Sequence, residues 1–250
     1  ISLEWVRSVG MFGFTWGDLG YSQFKVLPII QIAGVTGVWG VSLILAMSNA
    51  ALANLAIARK TKMGSGAAFG QVFLVALITL GVTIFGLAVE RQPLTGKPIR
   101  AAVIQGNINQ DAVQDLAYCE NVWDTYSRLT LDAASRGARL ILWPESVIPG
   151  CPGRNPADQL KLRSLARATS ATLLVGGHDE DVQGKVYNSA LLISPRDGLL
   201  GKYAKVHLVP FGEFVPARKY MPFMKNYRAT LFDTCPGPGW NLLDTGSYKL

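Results

Sequence analysis

The sequence predicts an α/β domain preceded by two transmembrane helices. Three observations carry that expectation. Only 16% of the residues are charged, against about 25% in an ordinary soluble domain. The deficit is uneven: residues 1–90 hold five Lys or Arg and three Asp or Glu, while residues 91–250 hold nineteen and fourteen. Beyond residue 98 short apolar runs alternate with amphipathic segments, the pattern of layered α/β folds.

Residues 1–90 read as a membrane region. No charge lies between Val26 and Ala58, and a second uncharged run covers Phe69–Val89. A bilayer core needs about 20 apolar residues in a helix, so spans are expected at about 37–58 and 69–89. The 27–36 stretch, with Pro28 and Gly34, reads as an interfacial lead-in. The loop between the spans carries Arg59, Lys60 and Lys62 and no anion. The positive-inside rule puts such a loop in the cytoplasm, and everything after Glu90 on the other side. Residues 10–23 are rich in Gly, Trp, Phe and Tyr and suit a membrane interface. The net charge of +7 is thinly spread, without the basic stripe of a nucleic-acid binder, so the expected partner of these cations is the anionic bilayer surface.

Pro93, Gly96 and Pro98 mark 91–98 as a linker. After it, 99–105 reads as a buried strand ending in Gly106-Asn107. In 116–135 the residues Val122, Tyr126, Leu129 and Ala133 share one helical face, and Gly137 terminates it. Strands are expected at 139–143, 172–176 and 188–194, with an amphipathic helix at 158–169. Asn241–Asp244 and Ser247–Leu250 read as two arms of a hairpin turning at Thr245-Gly246.

Two segments concentrate chemistry. Leu140-Ile141-Leu142-Trp143-Pro144-Glu145 is a strand that delivers a carboxylate, with Pro144 stopping the pairing. Gly201–Pro216 gathers Lys202, Lys205, His207, a Pro-Phe-Gly turn and Glu213. An ammonium beside carboxylates can hold charge that develops in a transition state. A third segment, Tyr187-Asn188-Ser189-Ala190, reads as a structural turn-to-strand junction.

Order and spacing match a family. Trp-Pro-Glu at 143–145, Tyr-Asn-Ser at 187–189 and Lys-x-His-Leu-Val-Pro-Phe-Gly-Glu at 205–213 resemble the nitrilase superfamily. The longer run through Phe-Gly-Glu-Phe-Val-Pro resembles its membrane branch, the apolipoprotein N-acyltransferases. So do Glu4-Trp5-Val6-Arg7, Trp16–Gln23 and Val103–Ile108, and the resemblance extends over essentially the whole chain. It implies an αββα nitrilase-like sandwich, here incomplete, covering 99–250. It also implies a Glu-Lys-Cys triad, with Glu145 as general base, Lys205 as transition-state stabiliser and Glu213 assisting. The implied reaction moves an acyl chain from a phospholipid, through a cysteine thioester, to the α-amine of a diacylglyceryl-cysteine at an apolipoprotein N-terminus. The implied place is the bacterial inner membrane, multi-pass, with the catalytic domain on the periplasmic side. No cofactor and no metal are expected. The family often carries a Trp in the loop after Gln-Gly-Asn; 109–115 has none, with Gln114 near that position.

None of the three cysteines fits the nucleophile's place, a strand-to-helix elbow after Lys205. Cys119 reads as a buried helical thiol, Cys151 precedes Lys205, and Cys235 lies in a Pro/Gly loop. Ile1 replaces an initiator Met and Leu250 ends inside an expected strand, so the chain reads as a fragment cut at both ends, with its nucleophile past residue 250 and no activity of its own. Lys202, three residues from Lys205, is expected to tolerate alanine. Two other functions remain open at this point, a membrane-tethered carbon-nitrogen hydrolase and a non-catalytic lipid-binding protein.

Overall fold

The computed structural model describes every residue except 62–65, 94, 109–115 and 217–232, and the side chains of residues 116 and 117. It divides into two compact units, Ile1–Gly96 and Lys97–Leu250.

In the first unit a short helix α1 (Ser2–Ser8) leads through the aromatic segment to a 3-10 turn at Leu19–Gln23. Two single-turn helices follow, α2 (Leu27–Ile30) and α3 (Ala33–Thr36). Gly37, with φ of 66°, then breaks the chain before the 24-residue α4 (Val38–Thr61). The 25-residue α5 (Gly66–Glu90) packs along it. At 1.5 Å per residue each helix is long enough for a bilayer core of about 30 Å. Most large side chains of α5 are exposed, among them Phe73, Leu80 and Ile84, and only Ala68 and Gly86 are buried. A core helix of a soluble protein would hide that surface. Gly86 permits a close crossing, since a Cβ there would lie 1.8 Å from the Pro28 carbonyl oxygen. Polar groups hold the entry to α4: Arg7 pairs with the fully buried side chain of Asp18, Glu4 accepts from the Leu19 amide at 2.8 Å, and Ser42 Oγ accepts from the Gly20 amide at 2.8 Å.

Among the described residues the second unit is a five-stranded mixed sheet with two helices. Its elements are β1 (Ala101–Val103), α6 (Leu116–Ser135), β2 (Leu140–Leu142), α7 (Pro156–Thr169), β3 (Thr172–Glu180), β4 (Val186–Ser194) and β5 (Gly198–Ala204). The strands lie in chain order, with β1, β2 and β3 parallel and β3, β4 and β5 antiparallel. This is the α/β class expected, with the strands of the described residues in one sheet. α6 and α7 touch each other and the sheet, so both cover one face. Alternation sends Ile141, Leu173, Val175, Leu191 and Ile193 into that core, against Leu162 and Ala166 of α7. Burying each of the larger side chains stabilises the fold by about 1.5–3 kcal/mol. The buried Trp143 indole donates to Thr130 Oγ1 at 2.9 Å, which satisfies its one polar atom. α7 starts where Asn155 Oδ1 accepts from the Ala157 amide and Pro156 occupies the first turn.

The other face carries Leu192, fully buried, and Leu243 approaches it over Gly201. The 241–250 arms form the expected hairpin, with Leu243 and Leu250 exchanging both backbone hydrogen bonds at 2.8–2.9 Å.

Candidate active site

The strand β2 ends by aiming a carboxylate. The Trp143 amide makes a last bond to Leu174 at 2.9 Å, Pro144 offers no donor, and Glu145 leaves the sheet. It passes over Gly176, where a Cβ would stand 2.1 Å from the Pro144 oxygen and 2.6 Å from Glu145 Cα. Ser146 follows with φ of 50°, and the Val147 amide returns to the Gly176 carbonyl at 3.2 Å. Positive φ at a non-glycine residue costs on the order of 1–3 kcal/mol and persists only where the surrounding structure holds it.

β4 and β5 supply two more groups side by side. The Lys205 amide donates to the Asn188 carbonyl at 2.8 Å, extending the ladder past β5. Glu213 arrives on a turn that closes on itself. Its amide donates to the Val209 carbonyl at 2.9 Å, and its Oε2 accepts from the Val209 amide at 2.7 Å. Phe211 within that turn has φ of 61°. The Glu213 carbonyl is held in turn by Thr234, through its amide at 2.9 Å and its hydroxyl at 3.0 Å.

Glu145, Lys205 and Glu213 come together. Lys205 Nζ lies 3.0 Å from Glu145 Oε1 and 3.0 Å from Glu213 Oε2. Asn188 joins them: its Nδ2 donates to Glu213 Oε1 at 2.6 Å and also to Glu145 Oε1, while its Oδ1 accepts from Ser146 Oγ at 3.2 Å. Side-chain exposure falls from 61% at Glu145 to 31% at Lys205 and 12% at Glu213. Glu145 is therefore open to a reacting group, and Glu213 is the most enclosed of the three.

Electrostatics follow that gradient. Burial pushes the Glu213 carboxyl up, but the Val209 amide, Asn188 and Lys205 outweigh it and hold it below the usual carboxylate range. Burial pushes the Lys205 ammonium down, yet Glu213 and Glu145 together carry it above its ordinary value. His178, paired across the sheet with Asn188, is lowered by burial against the pull of the two carboxylates.

Two expectations are corrected, and a third residue proves to have partners of its own. Asn188 is more than a structural junction, since it bonds both carboxylates. Lys202, expected to tolerate alanine, binds Asp179 Oδ1 at 2.7 Å and the Gly153 carbonyl at 2.8 Å through its Nζ. Cys119 is half-buried, lining an open cleft with Trp123 and Lys161. The Cys151 thiol is pushed up by burial and then by Glu180 and Asp179, which disfavours a thiolate. The Cys235 amide is bonded to the Val186 carbonyl at 2.7 Å. Among the described residues no cysteine is a polar partner of Glu145, Lys205 or Glu213. Gln114 lies outside the described residues.

Residues 100–238 match the carbon-nitrogen hydrolase family. The chain belongs to that family. Residues 1–51 match the apolipoprotein N-acyltransferase N-terminal domain. Among relatives, the apolipoprotein N-acyltransferase of Geobacter metallireducens is 34% identical over 254 residues, covering 100% of this chain and 49% of that protein. Those of Chromobacterium violaceum and Allorhizobium ampelinum are 35% and 32% identical, each covering 85% of this chain and 40% of the relative. Within the carbon-nitrogen hydrolases, the chain belongs with the apolipoprotein N-acyltransferases. It spans about half the length of the curated relatives it matches.

Proposed function

We propose that the full-length protein transfers an acyl chain from a phospholipid to the N-terminal α-amine of a diacylglyceryl apolipoprotein. The observation that carries this reading is the Lys205 ammonium held between Glu145 and Glu213, at 3.0 Å from each.

In this reading Glu145 takes the proton of a cysteine thiol supplied by the full-length protein. The thiolate adds to the ester carbonyl of the phospholipid, and Lys205 stabilises the oxyanion. The carbon–oxygen bond to the glycerol then breaks, and the departing alkoxide takes its proton from Glu145. In the second half the lipoprotein amine adds to the thioester, the carbon–sulfur bond breaks, and the proton returns to sulfur through Glu145. Splitting the transfer lets one site serve two bulky lipids in turn. Glu213, buried and ionised, keeps Lys205 protonated and in place.

Residues 1–90 then form a membrane region spanned by α4 and α5, joined through 91–98 to the catalytic domain of 99–250. The Arg59–Lys60 end faces the cytoplasm and the catalytic domain the periplasmic side of the inner membrane. What supports this is the length and apolar exposure of the two helices and the cation-only loop between them.

The test incubates full-length protein with phospholipid and a diacylglyceryl peptide. A hydroxylamine-labile acyl mass on the protein, followed by N-acylated peptide, is expected. Water-dependent amide cleavage instead would mean a hydrolase, and binding without turnover a lipid-binding protein.

A further inference from the structure

β3 runs past the end of β2, which stops at Leu142 opposite Leu174. Beside the free edge of 176–180 lies the segment that begins with Glu145. Its contacts follow β3 in order. Gly176 makes room for Pro144 and Glu145, and its carbonyl accepts from the Val147 amide. At Gly177 a Cβ would come 2.6 Å from Pro152 Cγ. The His178 carbonyl accepts from the Gly153 amide at 3.1 Å. Asp179 lies where a Gly153 side chain would be, and Glu180 pairs with Arg154. An irregular segment thus replaces a strand along five consecutive residues, with backbone bonds at Val147 and Gly153.

One side chain ties the far end of this arrangement. Lys202 Nζ, from β5, donates to the Gly153 carbonyl at 2.8 Å and to Asp179 Oδ1 at 2.7 Å. The same carbonyl accepts from Gln159 Nε2 at 2.7 Å, which adds the first turns of α7. The ion pair is partly shielded, with Lys202 35% and Asp179 16% exposed, so water screens it less than a surface pair. Lys202 therefore joins three elements at the point where the segment could lift off β3.

We propose that Lys202 is a positioning residue for Glu145, clamping the 144–154 segment to β3 through Gly153 and Asp179. The proposal rests on the reading of Glu145 as the base. Glu145 lies at the near end of a segment whose course is fixed by the bonds along β3. Releasing the far end frees the Val147 bond and with it the direction of the carboxylate, and small misplacements of a catalytic group cost about 100-fold.

The test uses the full-length protein with Lys202→Met, Lys202→Arg, Asp179→Ala and, as control, Arg136→Ala from an exposed pair on α6. Two quantities are measured, amide hydrogen exchange at Val147 and Gly153 and the rate of acyl-thioester formation against phospholipid concentration. Lys202→Met is expected to speed exchange at both amides and to slow thioester formation about 10- to 100-fold with KM nearly unchanged. Lys202→Arg is expected to recover both, and Asp179→Ala to resemble Lys202→Met. Faster exchange at Gly153 alone, with Val147 and acylation as in wild type, overturns the proposal. So does wild-type acylation in Asp179→Ala, the variant that decides if Lys202→Met does not fold. If the wild-type protein forms no thioester, the functional reading fails, while exchange at Val147 still decides the clamp.

Discussion

The side-chain amide of Asn188 donates to Glu213 Oε1 across 2.6 Å, and the same nitrogen donates to Glu145. An amide NH2 has two hydrogens, so one neutral group serves two carboxylates that would otherwise repel. Lys205 supplies the charge that makes the pair tolerable, and Asn188 supplies the geometry. Asn188→Ala takes a donor from both carboxylates, and for the more enclosed Glu213 that is a loss of about 1–3 kcal/mol. Thioester formation is expected to fall accordingly, and Asn188→Asp, which adds a third anion, is expected to fall further. Equal rates in the two variants would show that repulsion is not what Asn188 relieves.

Glu145→Gln and Lys205→Ala are each expected to lower acyl transfer by a factor of about 100 or more, with expression largely kept. Glu145 is open to solvent, so the amide replacement disturbs little packing. Single-turnover acylation by mass spectrometry measures both. Near wild-type turnover in either variant removes that residue from the mechanism.

The two shifted groups set a pH window. The folded pKa of Glu213 is depressed, so its stabilising contribution is present above its unfolded value of about 4.3. It is lost as pH falls through the folded value. The folded pKa of Lys205 is raised, so its contribution is complete below about 10.4 and is lost as pH rises through the folded value. The cluster is thus intact between roughly pH 4.5 and 10. Denaturant midpoints across pH should fall at both ends, and Glu213→Gln should flatten the acid limb. An unchanged acid limb would mean that Glu213 gains nothing from its partners.

Protease added to intact spheroplasts is expected to cut the 99–250 domain. The basis is the run of cations without an anion, Arg59, Lys60 and Lys62, at the end of α4, together with the two exposed apolar helices. Full protection of the domain, with cleavage only after lysis, would reverse the orientation.

Much of this was legible because periodicity and composition report local structure. The face of Val122, Tyr126, Leu129 and Ala133 located α6, and the apolar runs located β2 and the inner halves of β3 and β4. The outer halves were not visible. Gly177-His178-Asp179-Glu180 is polar and reads as loop, yet it pairs with Val186–Ser189 in a hairpin extending beyond the core. β5 was hidden by Gly198, Gly201 and Lys202 on an edge strand, where packing asks little of the side chains. Glu145, Lys205 and Glu213 were found through the motif resemblance, and the structure brings them together. Asn188 and Lys202 were missed for one reason: their partners are 23 to 49 residues away in the chain, and spacing carries no record of such distances.

Thr234 grips the carbonyl of Glu213, and Phe211 and Phe214 close the turn around it with a 2.7 Å bond. The polypeptide thus leaves the catalytic cluster and returns to it at one fixed doorway. Held through its own backbone as well as through its carboxylate, Glu213 is fixed at both ends, so a change to its side chain need not unpin the turn that carries it.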